Sequence, residues 1–395
     1  MTTLIIFLLV LSVLVLVHEW GHFITAKKAG CKVYEFGIGF PPRLGGVYKD
    51  PKTGKWRWVW GSRGNKLAET VGGEDRANPD EFPSTLYSVN WLPIGGFVKI
   101  KGENGEEAQD SDSFGSKKIW QKLVILVAGV FMNVVLAGAL LSIGFMLGLP
   151  TDVSDGVPAG ASVTGERYVV VGQVVGDSPA DEAGLAAGDR IVQLDNEVIT
   201  QSSQMIDYVN EKGATEIEVL VQRGDEDLTL VITPQIIEDI NAGGKPRLGL
   251  LLSDAAIIHY PWHSAIYHGF RSAVLGLITI FIAFYLLLRG LIFGQGMAFD
   301  VAGPVGIAQV VGTSARLGVN YLINTAAMIS LSLAAINILP IPALDGGRAL
   351  FVIIEGIIRK PVPKHYEQMA HTIGFVLLMI LILVVTVRDV IGIIQ

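Results

Sequence analysis

His18-Glu19-Trp20-Gly21-His22 places two imidazoles four residues apart, with a carboxylate beside the first. On a helix, residues i and i+4 share a face, so both rings can reach one ion while Glu19 stands by the open ligand position. Imidazole suits Zn²⁺, and three protein ligands leave a fourth position for water. Zinc brings the pKa of that water to about 7, and Glu19 can take its proton and pass it to a leaving amine. The pentapeptide lies within an apolar stretch, residues 4–26, long enough to cross a bilayer. A charged side chain at the bilayer centre costs about 3 kcal/mol on insertion scales, which makes function the default reading of such residues.

A zinc site needs a third ligand. The only cysteine is Cys31, so a thiolate set is excluded and no intrachain disulfide can form. Asp345, in "NILPIPALDGGRAL", is the best candidate. Pro340 and Pro342 break the helix there, and freed backbone groups at membrane depth are tolerated only where protein or a cavity surrounds them. Asp345 could instead, or also, cap a helix starting at Gly346. Asp300 and Glu355 are weaker candidates, since neither sits beside a broken helix. Asn337 and Asn133 lie within apolar spans, where each could bind substrate, stabilise an oxyanion or bond to a neighbouring helix. Gly129 and Asn133 share a face, which favours close packing there.

These residues must be positioned by a membrane protein. Half of the 395 residues are hydrophobic and only 17% are charged, against roughly 25% in soluble domains. Five apolar segments stand out: 4–26, 119–149, 268–293, 320–344 and 370–387. The first has no positive leader region and no small-x-small cleavage site, so it reads as a span. Region 27–118 carries 15 Lys/Arg and 12 Asp/Glu, whereas 151–260 carries 6 and 19. Lys27, Lys28, Lys32, Lys117, Lys118 and Lys122 flank the spans, so 27–118 is expected in the cytoplasm, with 151–260 and the N-terminus outside. "KTGKWRWVWG" predicts a turn and a short strand, "NWLPIGGFVKIKGE" a strand after a Pro-Gly-Gly break, and 103–116 a mobile linker. Residues 160–234 predict a compact domain of five or six strands and two helices, with Ser178 capping the first and Pro179 opening it. Nothing points to nucleic acid as a partner.

Together, HEWGH on the first span, Gly129-x-x-x-Asn133 on the second and N-x-x-P-x-P-x-L-D-G-G on a later one resemble the site-2 protease family of intramembrane zinc metalloproteases, and most closely the bacterial regulator of sigma-E protease branch. "GGFVKI" (95–100) is similar to that family's membrane-reentrant β-loop. "VGDSPADEAGLAAGDRIVQLDN" resembles a PDZ domain inserted between core spans. The resemblance implies one Zn²⁺ per chain on His18, His22 and Asp345, with Glu19 as acid/base. It places Asn337, Asn133, Gly95, Gly96, Phe97 and Val98 near the substrate, an unwound transmembrane helix of a single-span protein such as an anti-sigma factor or signal-peptide remnant.

The fold class expected is a polytopic α-helical membrane protein with four core spans, one interfacial or re-entrant helix, an inserted PDZ-like domain and a cytoplasmic-side β-hairpin region. Its boundaries are a first span at 1–28, a loop at 29–118 with the re-entrant element at 91–101, and a second span at 119–149. An extracytoplasmic PDZ-like domain with its extension follows at 151–260, then the interfacial helix and loop at 261–319, the LDGG span at 320–358 and a last span at 368–395. The setting expected is a bacterial cell membrane. The PDZ-like domain could bind peptide C-termini or exclude bulky ectodomains. Segment 268–293 is apolar enough to cross, yet an extra crossing would carry Asp345 to the wrong side, so it is expected not to cross. Residues 41–82 form a Trp- and Gly-rich insertion without an assigned role. A zinc transporter or sensor, or an inactive PDZ scaffold, are the competing classes. Glu19, a free carboxylate base, argues against the first, and intact motifs argue against the second.

Overall fold

The computed structural model describes residues 2–61, 82–103, 109–224, 226–236, 245–293, 302–360 and 362–394. Asp300, Asp225 and residues 62–81 of the 41–82 insertion lie outside them. In chain order the elements are α1 (Thr2–Lys28), β1 (Val33–Lys49), β2 (Trp56–Trp60), β3 (Leu86–Ile100), α2 (Ile119–Leu147), β4 (Leu149–Asp152), β5 (Ser162–Val174), α3 (Pro179–Glu182), β6 (Arg190–Leu194) and β7 (Glu197–Val198). There follow α4 (Ser202–Lys212), β8 (Ile217–Arg223), β9 (Glu226–Ile232), β10 (Leu250–His259), α5 (Trp262–Phe293), α6 (Pro304–Leu317), α7 (Val319–Ile338), α8 (Asp345–Ile358) and α9 (Lys364–Ile394). Among the described residues, five helices are long and apolar enough to cross a membrane: α1, α2, α5, α7 and α9. The chain is a membrane protein, and it divides into two units.

The first unit comprises 1–140, 270–312 and 325–395. Its helices approach closely where side chains are small, the usual solution in lipid. A β-carbon on Gly21 would collide with the carbonyl of Ala128, so α1 and α2 touch backbone to backbone at the HExxH motif. Cys31 is buried with Ala26, Val33, Ile100, Phe114, Ile125 and Val352, joining α1, the sheet, α2 and α8. The sheet has the order β2-β1-β3 and a folded register: Glu35–Ile38 pair with Lys99–Gly96 and also with Leu86–Val89, while Gly45–Val47 pair with Val89–Tyr87. β3 runs alongside α1. Pro93 accepts a bond from Ser12 Oγ, Gly95 lies against Val15, Gly96 against Leu16 and Glu19, and Ile100 packs with Ala26. About 23 Å of strand thus tracks about 21 Å of helix. Far across the sheet, Trp56, Trp58 and Trp60 are exposed, the last two stacked at 6.1 Å.

The linker expected at 103–116 is not loose where it is described. Lys101 pairs with Asp110 and Asp112, Lys117 donates to the carbonyls of Gly30 and Ser111, and Phe114 enters the core. One buried aromatic outweighs the polar composition that suggested mobility.

The second unit comprises 141–269 and 313–324. Its sheet has the order β4-β10-β5-β6-β8-β9, with β7 on β6, all antiparallel. Inward residues of alternating strands, among them Val169, Ile191, Leu194, Ile217, Val219 and Val221, form its core with Met205 and Val209 of α4. Ser178 caps α3 and Pro179 opens it, as the sequence predicts. The expected five or six strands become seven because β4 and β10, outside the 160–234 window, complete the sheet. Asp189, almost fully buried, accepts two bonds of 2.7 Å from Arg223.

Candidate metal centre and active site

α1 runs unbroken through the polar pentapeptide, so its 3.6-residue period turns His18 and His22 to one side. Both rings are buried, against α2. His22 Nδ1–H donates to the Ile125 carbonyl at 2.7 Å, which leaves Nε2 with its lone pair. The Asn133 carboxamide lies 3.3 Å from His18 Nδ1, and its second polar atom has no partner. A half-turn of the amide presents its oxygen to His18 Nδ1–H and leaves Nε2 bare there too. Gly129 lies below the rings: a β-carbon there would stand 2.7 Å from His18 Cε1 and Nε2 and would overlap His22 Nε2.

Asp345 arrives from the other end of the chain. α7 stops at Ile338, Pro340 and Pro342 forbid its continuation, and α8 restarts at Asp345. Leu344, not Asp345, is the N-cap, and no side chain caps that end, so the capping role open to Asp345 is not the one it takes. Its Oδ2 lies 2.9 Å from His18 Nε2 and 3.3 Å from His22 Nε2, and the two Nε2 atoms are 3.2 Å apart. A tetrahedral zinc with ligands at 2.0–2.1 Å has donor–donor edges of about 3.3 Å. The spacing, donor types and tautomers fit that ion. Among the described residues this is the His/Cys/Asp/Glu group able to hold a metal. Gly346 and Gly347 make the approach possible, since a β-carbon on either would strike carbonyls of Ile338, Leu339 or Ile341.

His18 and Asp345 open onto a cavity of about 180 Å³ that is also lined by Val15, Glu19, Asn133, Leu333, Asn337, Ala343 and Leu344. Glu19 is half-buried there, and the Val98 backbone amide faces its carboxylate. The structure therefore gathers His18, Glu19, His22, Asp345, Asn133 and Asn337 and sets Gly95–Val98 beside them. The two asparagines differ in surroundings: Asn133 is fully buried against His18, and Asn337 is half-buried on the cavity wall. Glu355 is elsewhere, near Lys122 and accepting from Val362 N–H. Several participants had no assignment from sequence: Gly21, the Ile125 carbonyl, the Arg348–Glu103 ion pair beside the site, and His371, which accepts from Ala343 N–H. An ionisable residue inside an apolar span was a signal for His371.

The profile of peptidase family M50 matches residues 6–56 and 80–381. The chain belongs to peptidase family M50. It is 34% identical over 387 residues to a Clostridium perfringens protein carried under a provisional zinc metalloprotease name, covering 97% of each chain. It is 29% identical to the regulator of sigma-W protease RasP of Bacillus subtilis, covering 98% of each. A PDZ domain of an SdrC-like protein from Listeria monocytogenes aligns with 23% of this chain and 92% of its own, at 29% identity and a TM-score of 0.21. As an M50 peptidase with membrane helices, the protein is an intramembrane zinc metalloprotease.

Proposed function

We propose that this M50 peptidase cleaves single-span membrane proteins within or near their transmembrane segments, with His18, His22 and Asp345 holding the ion and Glu19 moving the proton. The observation that carries the reading is that Glu19 opens onto the same cavity as His18 and Asp345, two of the three clustered donors. Zinc held by them supplies a Lewis acid for a scissile carbonyl and acidifies water near neutral pH. Glu19 takes the proton from water and delivers it to the departing amine. Asn337, on the wall, is placed to bond the substrate backbone or a developing oxyanion. Asn133 serves substrate indirectly, by fixing His18.

A substrate helix hides its amides in internal bonds and must be extended before attack. The 95–98 segment lies beside Glu19 and supports β-addition of that extended stretch. The sigma-W regulator among the relatives makes membrane-anchored regulators a fitting substrate class. By the Lys/Arg flanks, the β1–β3 sheet faces the cytoplasm and the PDZ-like domain the outside, where it excludes bulky ectodomains.

Helix lengths within the first unit support an oblique α5. Gly312 lies against Thr3, and Gly303 and Gly306 donate to Asp389. Measured along α1 and α9, that level is about 25 Å from the zinc donors. Gly276 of α5 meets Leu331, next to Ser330, which donates to the Asn133 carbonyl, so Gly276 is near donor level. A straight inward course would leave Phe293 about 50 Å from Gly303, whereas the ten connecting steps reach at most about 35 Å. α5 accordingly lies slanted, and four spans form the core.

The experiment is purified enzyme with a single-span test substrate, wild type against Glu19→Gln, with and without a chelator. Cleavage should require zinc and Glu19, and Glu19→Gln should retain zinc. A Glu19→Gln protein that still cleaves refutes the assignment. A transporter would move zinc across vesicles regardless of Glu19.

A further inference from the structure

We propose that His371 of α9 is a positioning residue: its imidazole holds the loop that delivers Asp345 to the two histidines. The inference rests on the zinc reading above. The loop between α7 and α8 has little to hold it. Pro340 and Pro342 carry no N–H, and short internal bonds run only from Ile341 to Leu339 and from Leu344 to Ile341. Ala343, two residues before the ligand, sits at φ +84°, a conformation that a residue with a β-carbon adopts only when its surroundings impose it. Its N–H donates to His371 Nδ1 at 2.8 Å. The ring is therefore the tautomer with its proton on Nε2. The ring is also fixed from a second side, with its centroid 5.6 Å from that of Phe351 on α8. One turn further along α9, Gly374 lies so close to the Pro342 carbonyl that a β-carbon would not fit. Two successive turns of α9 thus grip two consecutive loop residues, Pro342 and Ala343.

Without the acceptor, the Ala343 amide would be unsatisfied at membrane depth and nothing would hold its strained φ. The loop would relax, and Asp345 would move with it. A metal site tolerates ligand displacements of about 0.2 Å. Outer-shell partners of metal ligands typically change affinity or activity by 10–100-fold when removed.

The test compares His371→Leu, which lacks the acceptor, with His371→Asn, whose Oδ1 occupies the place of Nδ1. Zinc affinity is measured on detergent-solubilised full-length protein by competition with a chromophoric chelator, alongside cleavage of a single-span substrate and the thermal midpoint. His371→Leu should bind zinc about 10–100-fold more weakly, and His371→Asn should recover most of the loss. Ala343→Gly, which accepts positive φ freely, should restore part of the affinity when combined with His371→Leu. This double variant decides the matter if the Leu variant alone fails to fold. Wild-type affinity in a folded Leu variant, or no rescue by either Asn or Ala343→Gly, overturns the proposal. Wild-type protein that binds no zinc would instead overturn the zinc reading itself.

Discussion

Gly129→Ala adds one methyl group beneath the proposed zinc donors His18 and His22. The new carbon would lie 2.7 Å from His18 Cε1 and Nε2 and would overlap His22 Nε2. Ordinary contact begins near 3.4–4 Å. Something must therefore move by roughly 0.7 Å or more, several times the ~0.2 Å that a metal site absorbs. The rings cannot simply swing aside. His22 is bonded to Ile125 and His18 abuts Asn133, while the backbones of α1 and α2 already touch at Gly21. Overpacking of this kind costs about 1–3 kcal/mol, which a folded bundle survives. A reacting centre displaced by about 1 Å loses on the order of 100-fold, equivalent to about 2.7 kcal/mol of transition-state stabilisation. The expected result is a folded protein with kcat/KM reduced at least 100-fold and zinc below one per chain. Elemental analysis and cleavage of a single-span substrate in detergent or proteoliposomes measure the two. Gly276→Ala is the matched control, because its β-carbon meets only a flexible Leu331 methyl at 3.0 Å. A Gly129→Ala enzyme with full zinc and unchanged turnover would refute the geometry as that of the working site.

Val98→Pro removes the amide that faces Glu19 and should lower kcat/KM for a transmembrane substrate about 10-fold or more with zinc content unchanged. Equal loss on a short unstructured peptide would argue against a strand-pairing role. In the second unit, Asp195 accepts from Tyr208 Oη, Glu218 N–H and Lys212, and the tyrosine bond above all holds its carboxyl well below the usual range. A depressed folded-state pKa gives stability that is present above the unfolded value near 4 and fades as pH falls towards 2. The thermal midpoint of that unit should therefore drop over this window in the wild type and be flatter with pH in Asp195→Asn. Asp189→Ala removes both carboxylate bonds of Arg223, leaving it the Gly184 carbonyl, and leaves Ala186 N–H without its acceptor. It should destabilise the unit by about 2–3 kcal/mol in denaturant titration, the loss expected for charged hydrogen bonds with one exposed partner.

The residues of the candidate site were legible because their spacing is local. Four residues on a helix put His18 and His22 on one face whatever the rest of the chain does, and prolines around Asp345 mark a broken helix in any context. What surrounds them was not legible. Gly129 and Asn133 could be paired as a packing face, yet only the crossing of α1 and α2 turns Gly129 into the floor under two imidazoles. Asp345 at a helix start fits an N-cap as well as a ligand, and the decision lies in Leu344 taking the cap. β4 and β10 were missed because each is completed by a partner outside the window that shows alternation. The 109–116 segment looked polar enough to be mobile, and long-range partners of Lys101, Phe114 and Lys117 order it. His371, the one histidine in the apolar stretch 370–387, drew no notice, because its partner is a backbone amide 28 residues away.

The proposed donors His18 and Asp345 are 327 positions apart, on the first helix and on α8. Synthesis proceeds from one to the other, so most of the polypeptide has left the ribosome before a third ligand exists. A half-made chain carries an imidazole pair but no complete centre. With Asp345 as the third ligand, a chain still being inserted would lack the means to cut neighbouring helices. On the proposed ligand set, hydrolytic competence arrives only with the closing segments.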